Sequence, residues 1–148
     1  MPCPRCFLTA LRQQATGNRQ RGSGQNRVNP IRDYKDLAVW QRGRELVREI
    51  YRITNMLPRE ELFGLSSQLR RSAVSIPSNI AEGYGRQALN DYIRFLKIAR
   101  GSCYELETQL ILCTDLGLLS EAETETADSL LKQTQKLLFS LLRSLELS

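Results

Sequence analysis

The chain has 148 residues, 41% of them apolar and 25% charged, with a net charge of +5 and no histidine. This length suits one domain with a sizeable core, and the lack of any run of eighteen apolar residues argues against a membrane span. Without histidine the commonest general base and the commonest zinc ligand are missing, so no catalytic, cofactor or metal site is expected and the chain reads as a non-enzyme.

Residues 1–34 read as a disordered basic arm. The stretch TGNRQRGSGQNRVNP is rich in Gly, Asn, Gln and Arg and has little to bury. Cys3 and Cys6 form a CxxC there, with no second pair and no histidine to complete a metal site. The opening MPCPRCFLTALRQQ has too short an apolar run for a secretory signal, which points to a cytoplasmic protein. The arm holds six arginines against one aspartate and so carries the whole charge excess. Residues 35–100 hold twelve basic and seven acidic residues, and residues 101–148 hold three and eight. Such segregation suggests an anionic partner on one side.

Residues 35–148 read as a four-helix bundle, since apolar residues recur at helical spacing in four segments and none alternates as a strand does. The first segment covers about 36–57. Trp40, Gly43, Val47, Ile50, Thr54 and Leu57 lie on one face, with Leu46 and Ile53 widening it; Asp36 is the expected N-cap and Pro58 the stop. The second covers about 60–85, with Leu62, Leu65, Leu69, Ala73, Ile76, Ile80 and Gly83 in phase.

The third, about 90–116, carries the longest clean heptad: Tyr92, Leu96, Ala99, Cys103, Leu106, Leu110 and Cys113. Both cysteines thus fall on the inner face as buried thiols. Gly117 stands where a C-terminal cap belongs. The fourth, about 121–145, opens with the capping-box pair Ser120 and Glu123 and continues through Ala127, Leu131, Thr134, Leu138, Leu141 and Leu145. Leu130, Leu137, Leu142 and Leu147 broaden it toward a core stripe or a subunit contact. Short loops between four such helices predict an all-α, antiparallel up-down-up-down bundle.

Pro77 lies inside the second segment, where proline costs about 3 kcal/mol. Ala73, Ile76, Ile80 and Gly83 nevertheless keep helical phase across it, which a loop would not need. The expectation is a helix that bends and continues. Ser75, Ser78 and Asn79 offer side chains to the freed backbone groups. Ser72, Ser75, Ser78, Asn79 and Glu82 form a small polar face, expected against Ala99, Gly101, Ser102 and Cys103, with Asn79 and Glu82 partly buried and fixing the register. A catalytic role for Glu82 has no second titrating group to support it.

The runs FGLSSQLRRSAVSIPSNIAEGYGR and DYIRFLKIARGSCYELETQL carry a resemblance. An SIxxNIAEG stretch, here Ser75–Gly83, precedes a helix with an F-L-x-x-A-x-G-S-x-x-E-L-E run, here Phe95–Glu107. Together they resemble the four-helix-bundle proteins encoded within intervening sequences of bacterial 23S ribosomal RNA, over about residues 36–146. The resemblance implies a homo-oligomeric ring, often a pentamer, with a basic surface. A related accessory protein of diversity-generating retroelements partners a reverse transcriptase and binds nucleic acid, so the resemblance also implies a nucleic-acid or reverse-transcriptase partner.

The outer faces hold rows of cations: Arg44 and Arg48, with Arg42 and Arg52, on the first helix; Arg70, Arg71 and Arg86 on or just after the second; Arg94, Lys97 and Arg100 on the third. Arginine suits phosphate because its planar fork makes paired hydrogen bonds. On the first helix Glu45 and Glu49 can neutralise the row by i, i+3 pairing. No exposed aromatic row interleaves the cations, Tyr84 and Tyr104 being the nearest, so backbone or shape recognition of structured RNA or duplex is expected rather than base stacking. The competing reading is a structural or protein-interaction bundle whose charges keep it in solution. No small-molecule substrate is evident.

Overall fold

The computed structural model describes residues 31–147. Four helices follow in order: α1 Ala38–Thr54, α2 Leu65–Gly85, α3 Leu89–Asp115 and α4 Glu121–Glu146, with short 3-10 turns at Tyr34–Asp36 and Arg59–Glu61. There is no strand among the described residues. The expected arm falls outside them up to residue 30, as does the Cys3/Cys6 pair; Ile31 and Tyr34 pack half-buried against the core.

Each helix packs on its neighbours in sequence, and α1 packs on α4 to close the square. The contacts run antiparallel. Thr54 of α1 meets Arg70 of α2, Ser75 meets Ser102, and Glu107 of α3 meets Gln135 of α4 while Lys97 meets Glu146. As one residue number rises, its partner's falls, as the up-down-up-down reading requires. The core between the helices is built from Leu46, Ile50, Ile76, Ile80, Leu96 and Leu138, with their heptad neighbours.

α2 runs unbroken through Pro77. Ile76 and Ile80 are both fully buried, and burying each contributes about 1.5–3 kcal/mol, enough together to offset a proline's cost of about 3 kcal/mol. The expected rescue of the freed carbonyl takes a different form. Asn79 Nδ2 donates to the Ser75 carbonyl at 2.7 Å and to Ser75 Oγ at 2.9 Å, two residues on from the carbonyl of Ala73 that proline leaves.

The heptad of α3 is buried at every position from Tyr92 to Cys113. Its end is a Schellman turn: Gly117 has φ +69, its N–H donates to the Thr114 carbonyl at 3.0 Å, and Leu118 N–H donates to the Cys113 carbonyl at 2.9 Å. Ser120 and Glu123 form both arms of the capping box that starts α4.

The ends of α1 and α2 depart from expectation. The N-cap of α1 is Leu37. Asp36 instead closes the preceding 3-10 turn, its carboxylate accepting from the backbone N–H of Arg32 at 2.9 Å and of Asp33 at 3.2 Å. α2 starts at Leu65, because the chain after Pro58 makes a 3-10 turn before the helix is nucleated. Glu61 then accepts from the Leu65 N–H at 3.0 Å. Helical phase is lost before Leu65, so Leu62 is exposed and Phe63 is 91% exposed.

Candidate nucleic-acid interface

Antiparallel packing gathers at one end of the bundle the start of α1, the end of α2, the start of α3 and the end of α4. That end carries Arg42, Arg44, Arg86, Arg94, Lys97, Arg100, Lys136 and Arg143, diluted by Glu45, Glu82, Asp91 and Glu146. The opposite end gathers Glu60, Glu61, Glu105, Glu107, Asp115, Glu121, Glu123, Glu125 and Asp128, against Arg52, Arg59, Arg70, Arg71 and Lys132. Helix macrodipoles oppose one another in an antiparallel bundle, so the axial polarity comes from side chains. The charge split read in the sequence coincides with it only in part: residues 105–128 supply most of the acidic end, whereas Arg52, Arg59, Arg70 and Arg71 fall there too and Lys136 and Arg143 fall at the basic end.

The named cations are not equivalent. Arg44, Arg48, Arg71, Arg94 and Arg100 are exposed. Arg70 is half-buried and committed: Nε donates to Thr54 Oγ1 at 2.9 Å, Nη2 donates to Asn55 Oδ1 at 3.0 Å, and the guanidinium lies 4.8 Å from the Tyr51 ring centroid. It stitches α2 to the end of α1. Arg86 pairs with Glu82 at 2.7 Å, and this carboxylate raises its pKa by hydrogen bond and charge. Lys97 pairs with Glu146 at 2.7 Å and holds that carboxyl below its usual range. Arg86 and Arg94 both stand over the Phe95 ring, at 5.4 and 5.2 Å.

The polar face of α2 splits. Ser75 and Asn79 are half-buried and join α3: Asn79 donates to Ser75 Oγ, Ser75 Oγ lies 2.8 Å from Ser102 Oγ, and Ser102 Oγ donates to the Ile98 carbonyl at 3.3 Å. Because the Ile98 carbonyl can only accept, Ser102 spends its one proton there and Ser75 donates to Ser102, so the chain runs from Asn79 to Ser75 to Ser102 to Ile98. Glu82 and Ser78 are exposed, and so is Gly101, which faces open space rather than α2. Glu82 therefore fixes no buried register; one turn from the helix end, it reaches Arg86 instead.

On α1 the two glutamates choose the outer arginines. Arg42 is hydrogen-bonded to Glu45, and Arg52 makes a paired contact with Glu49 at 2.7 and 2.9 Å. Among the described residues neither Arg44 nor Arg48 has a carboxylate within ion-pair distance. Both line a groove of about 400 Å³ between α1 and α2, floored by Trp40, Val47, Val74 and Pro77. Trp40 was expected in the core stripe; it is half-buried, with the Arg44 guanidinium 5.0 Å over its ring and Tyr34 edge-on at 5.1 Å. Sequence reasoning missed this aromatic surface. The available signal was Arg44, four residues on and so above Trp40 on the helix.

Among the described residues no cluster of three His, Cys, Asp or Glu side chains is arranged to hold a metal ion, and no helix is long and apolar enough to cross a membrane.

The fold places the chain among antiparallel four-helix-bundle proteins, in a form whose two ends bear opposite charge. Within that class it belongs to a defined family: the model of the 23S rRNA-intervening sequence proteins matches residues 35–140. A solved structure of similar fold is a protein of unknown function from the S23 ribosomal protein family of Bacteroides thetaiotaomicron VPI-5482, 28% identical, covering 71% of this chain and 98% of that chain, with a TM-score of 0.66. No curated protein matches the chain.

Proposed function

We propose that this protein is a non-enzymatic, self-associating bundle that binds structured nucleic acid through its basic end. The observation that carries the reading is the axial charge separation. Among the described residues, Arg94, Arg100 and Arg44 at the basic end, and Arg48 one turn further along α1, have no carboxylate within ion-pair distance, the arrangement that favours phosphate. Self-association has support on the outer face of α3, where Ile98, Tyr104, Ile111 and Leu112 are exposed around Gly101.

A titration with a labelled 23S ribosomal RNA fragment at two salt concentrations tests this. Affinity should fall steeply with salt, because each phosphate contact releases counterions, and should drop when Arg94 and Arg100 become Ala. Salt-independent affinity, or no loss in the double variant, refutes it. A second reading, a bundle for protein contacts only, is favoured by the engagement of Arg70, Arg86 and Lys97 within the molecule. Stoichiometric nucleic acid co-purifying with the protein argues against that version.

A further inference from the structure

The groove between α1 and α2 brings three features together in one place. It has an apolar floor, Val47, Val74 and Pro77, wide enough to leave about 400 Å³ of space. It has two exposed arginines, Arg44 and Arg48, one helical turn apart and with no acidic partner among the described residues. It has a guanidinium already stacked on an indole, Arg44 on Trp40 at 5.0 Å. Phosphate contacts alone need neither the floor nor the stack. A planar, apolar group joined to an anion uses all three.

We propose that this groove takes an unpaired nucleotide of a bound RNA or DNA strand, its base against the Arg44–Trp40 stack and the apolar floor, its phosphodiester on Arg48. Guanidinium planes and aromatic rings are common platforms for splayed-out bases, and a pocket of this size is within the range of small-ligand sites. Ser78, at the groove's edge and exposed, supplies a hydroxyl to the sugar or base. The inference rests on the nucleic-acid reading above and narrows it. Strands with unpaired nucleotides bind here, and a fully paired duplex, whose bases are stacked on one another, reaches only the other cations.

Trp40 is the chain's single tryptophan, so its emission reports on this groove alone. The full chain is titrated with a fluorescein-labelled twelve-nucleotide oligouridylate and with a labelled duplex of the same length, following label anisotropy and tryptophan emission together. The single strand should quench Trp40 in step with its anisotropy rise, and the duplex should raise anisotropy without quenching. Arg44→Ala with Arg48→Ala should weaken the single strand about tenfold or more. Val74→Glu, at an exposed position and so without cost to the core, should abolish the quenching by placing a carboxylate on the floor.

Anisotropy without quenching, or Val74→Glu binding the single strand as the parent does, overturns the groove assignment and leaves the broader reading standing. No anisotropy change with either probe overturns both. Emission that changes with protein concentration alone, before any oligonucleotide is added, assigns the groove to a second copy of the chain and also overturns the proposal.

Discussion

Gly83 of α2 lies so close to Phe95 of α3 that a Cβ on the glycine would stand 2.7 Å from the Phe95 Cβ and 3.0 Å from Tyr92 Cδ2. Both neighbours are buried and carried by helix backbone, so neither can yield cheaply. Gly83→Ala should therefore destabilise the fold by about 1–3 kcal/mol through overpacking, despite alanine's better helix propensity of about 1 kcal/mol. Gly43 makes the contrast. A Cβ there would meet Pro77 at 3.6 Å, an ordinary contact, and Gly43→Ala should be neutral or stabilise by up to about 1 kcal/mol. Urea unfolding of both variants decides; equal effects of the same sign would refute the packing argument.

The hydroxyl chain from Asn79 through Ser75 to Ser102 predicts a graded response. Ser102→Ala removes the oxygen to which Ser75 donates and should cost about 1–2 kcal/mol. Ser72 is also buried, but its Oγ has no hydrogen-bond partner among the described residues. Ser72→Ala should be neutral or stabilising, because it removes a buried hydroxyl that gains nothing. Loss of stability in Ser72→Ala equal to that in Ser102→Ala would show that the two hydroxyls do not differ in this way.

These interhelical features show how far the sequence could be read. The heptad from Tyr92 to Cys113 was legible throughout because α3 is long and unbroken, so phase set at one end holds at the other. Pro77 was legible for the same reason, since Ile76 and Ile80 flank it in register. Family membership followed from the same stretch, Ser75 to Glu107. Leu62 was misjudged because a 3-10 turn after Pro58 resets the phase, and Asp36 because a preceding turn uses its carboxylate. Arg70 and Trp40 illustrate a different limit. Their surroundings depend on which helix lies alongside and on how the chain before α1 folds back, and periodicity within one helix carries neither fact. That Glu45 and Glu49 pass over Arg44 and Arg48 could be seen only once it was known that they select Arg42 and Arg52.

Burial pushes the Cys103 thiol up to about 12 from an ordinary 9.0, with the Glu107 charge adding to it. The folded state thus keeps the thiol form where an unfolded chain would ionise. The associated stability is intact below pH 9 and should drain away as pH climbs from about 9 toward about 12. Cys113 is shifted in the same direction, by burial first and then by the Glu61 charge. At pH 8 neither thiol should react with iodoacetamide in the native protein, and both should react in denaturant. Mass spectrometry of the alkylated peptides reads this directly, and native labelling of Cys103 at the rate of a free thiol would contradict its place in the core.

Arg70 and Arg71 are adjacent in sequence but should separate in experiment. Arg70 is held by Thr54, Asn55 and the Tyr51 ring, whereas Arg71 is exposed beside them. Arg70→Ala leaves the α1–α2 contact without its charged stitch and should cost about 1–3 kcal/mol. Arg71→Ala should stay within about 0.5 kcal/mol, as substitutions away from such contacts do. Nucleic-acid binding should show the reverse order. If Arg71 meets a phosphate, its loss lowers the slope of log affinity against log salt by roughly 0.7–0.9. Arg70→Ala, measured well below its melting temperature, should leave that slope unchanged, because its donors are already spent within the bundle. A reduced slope in Arg70→Ala with an unchanged one in Arg71→Ala would mean that the guanidinium leaves Thr54 and Asn55 to reach the nucleic acid, and the stitch would then be part of the binding surface.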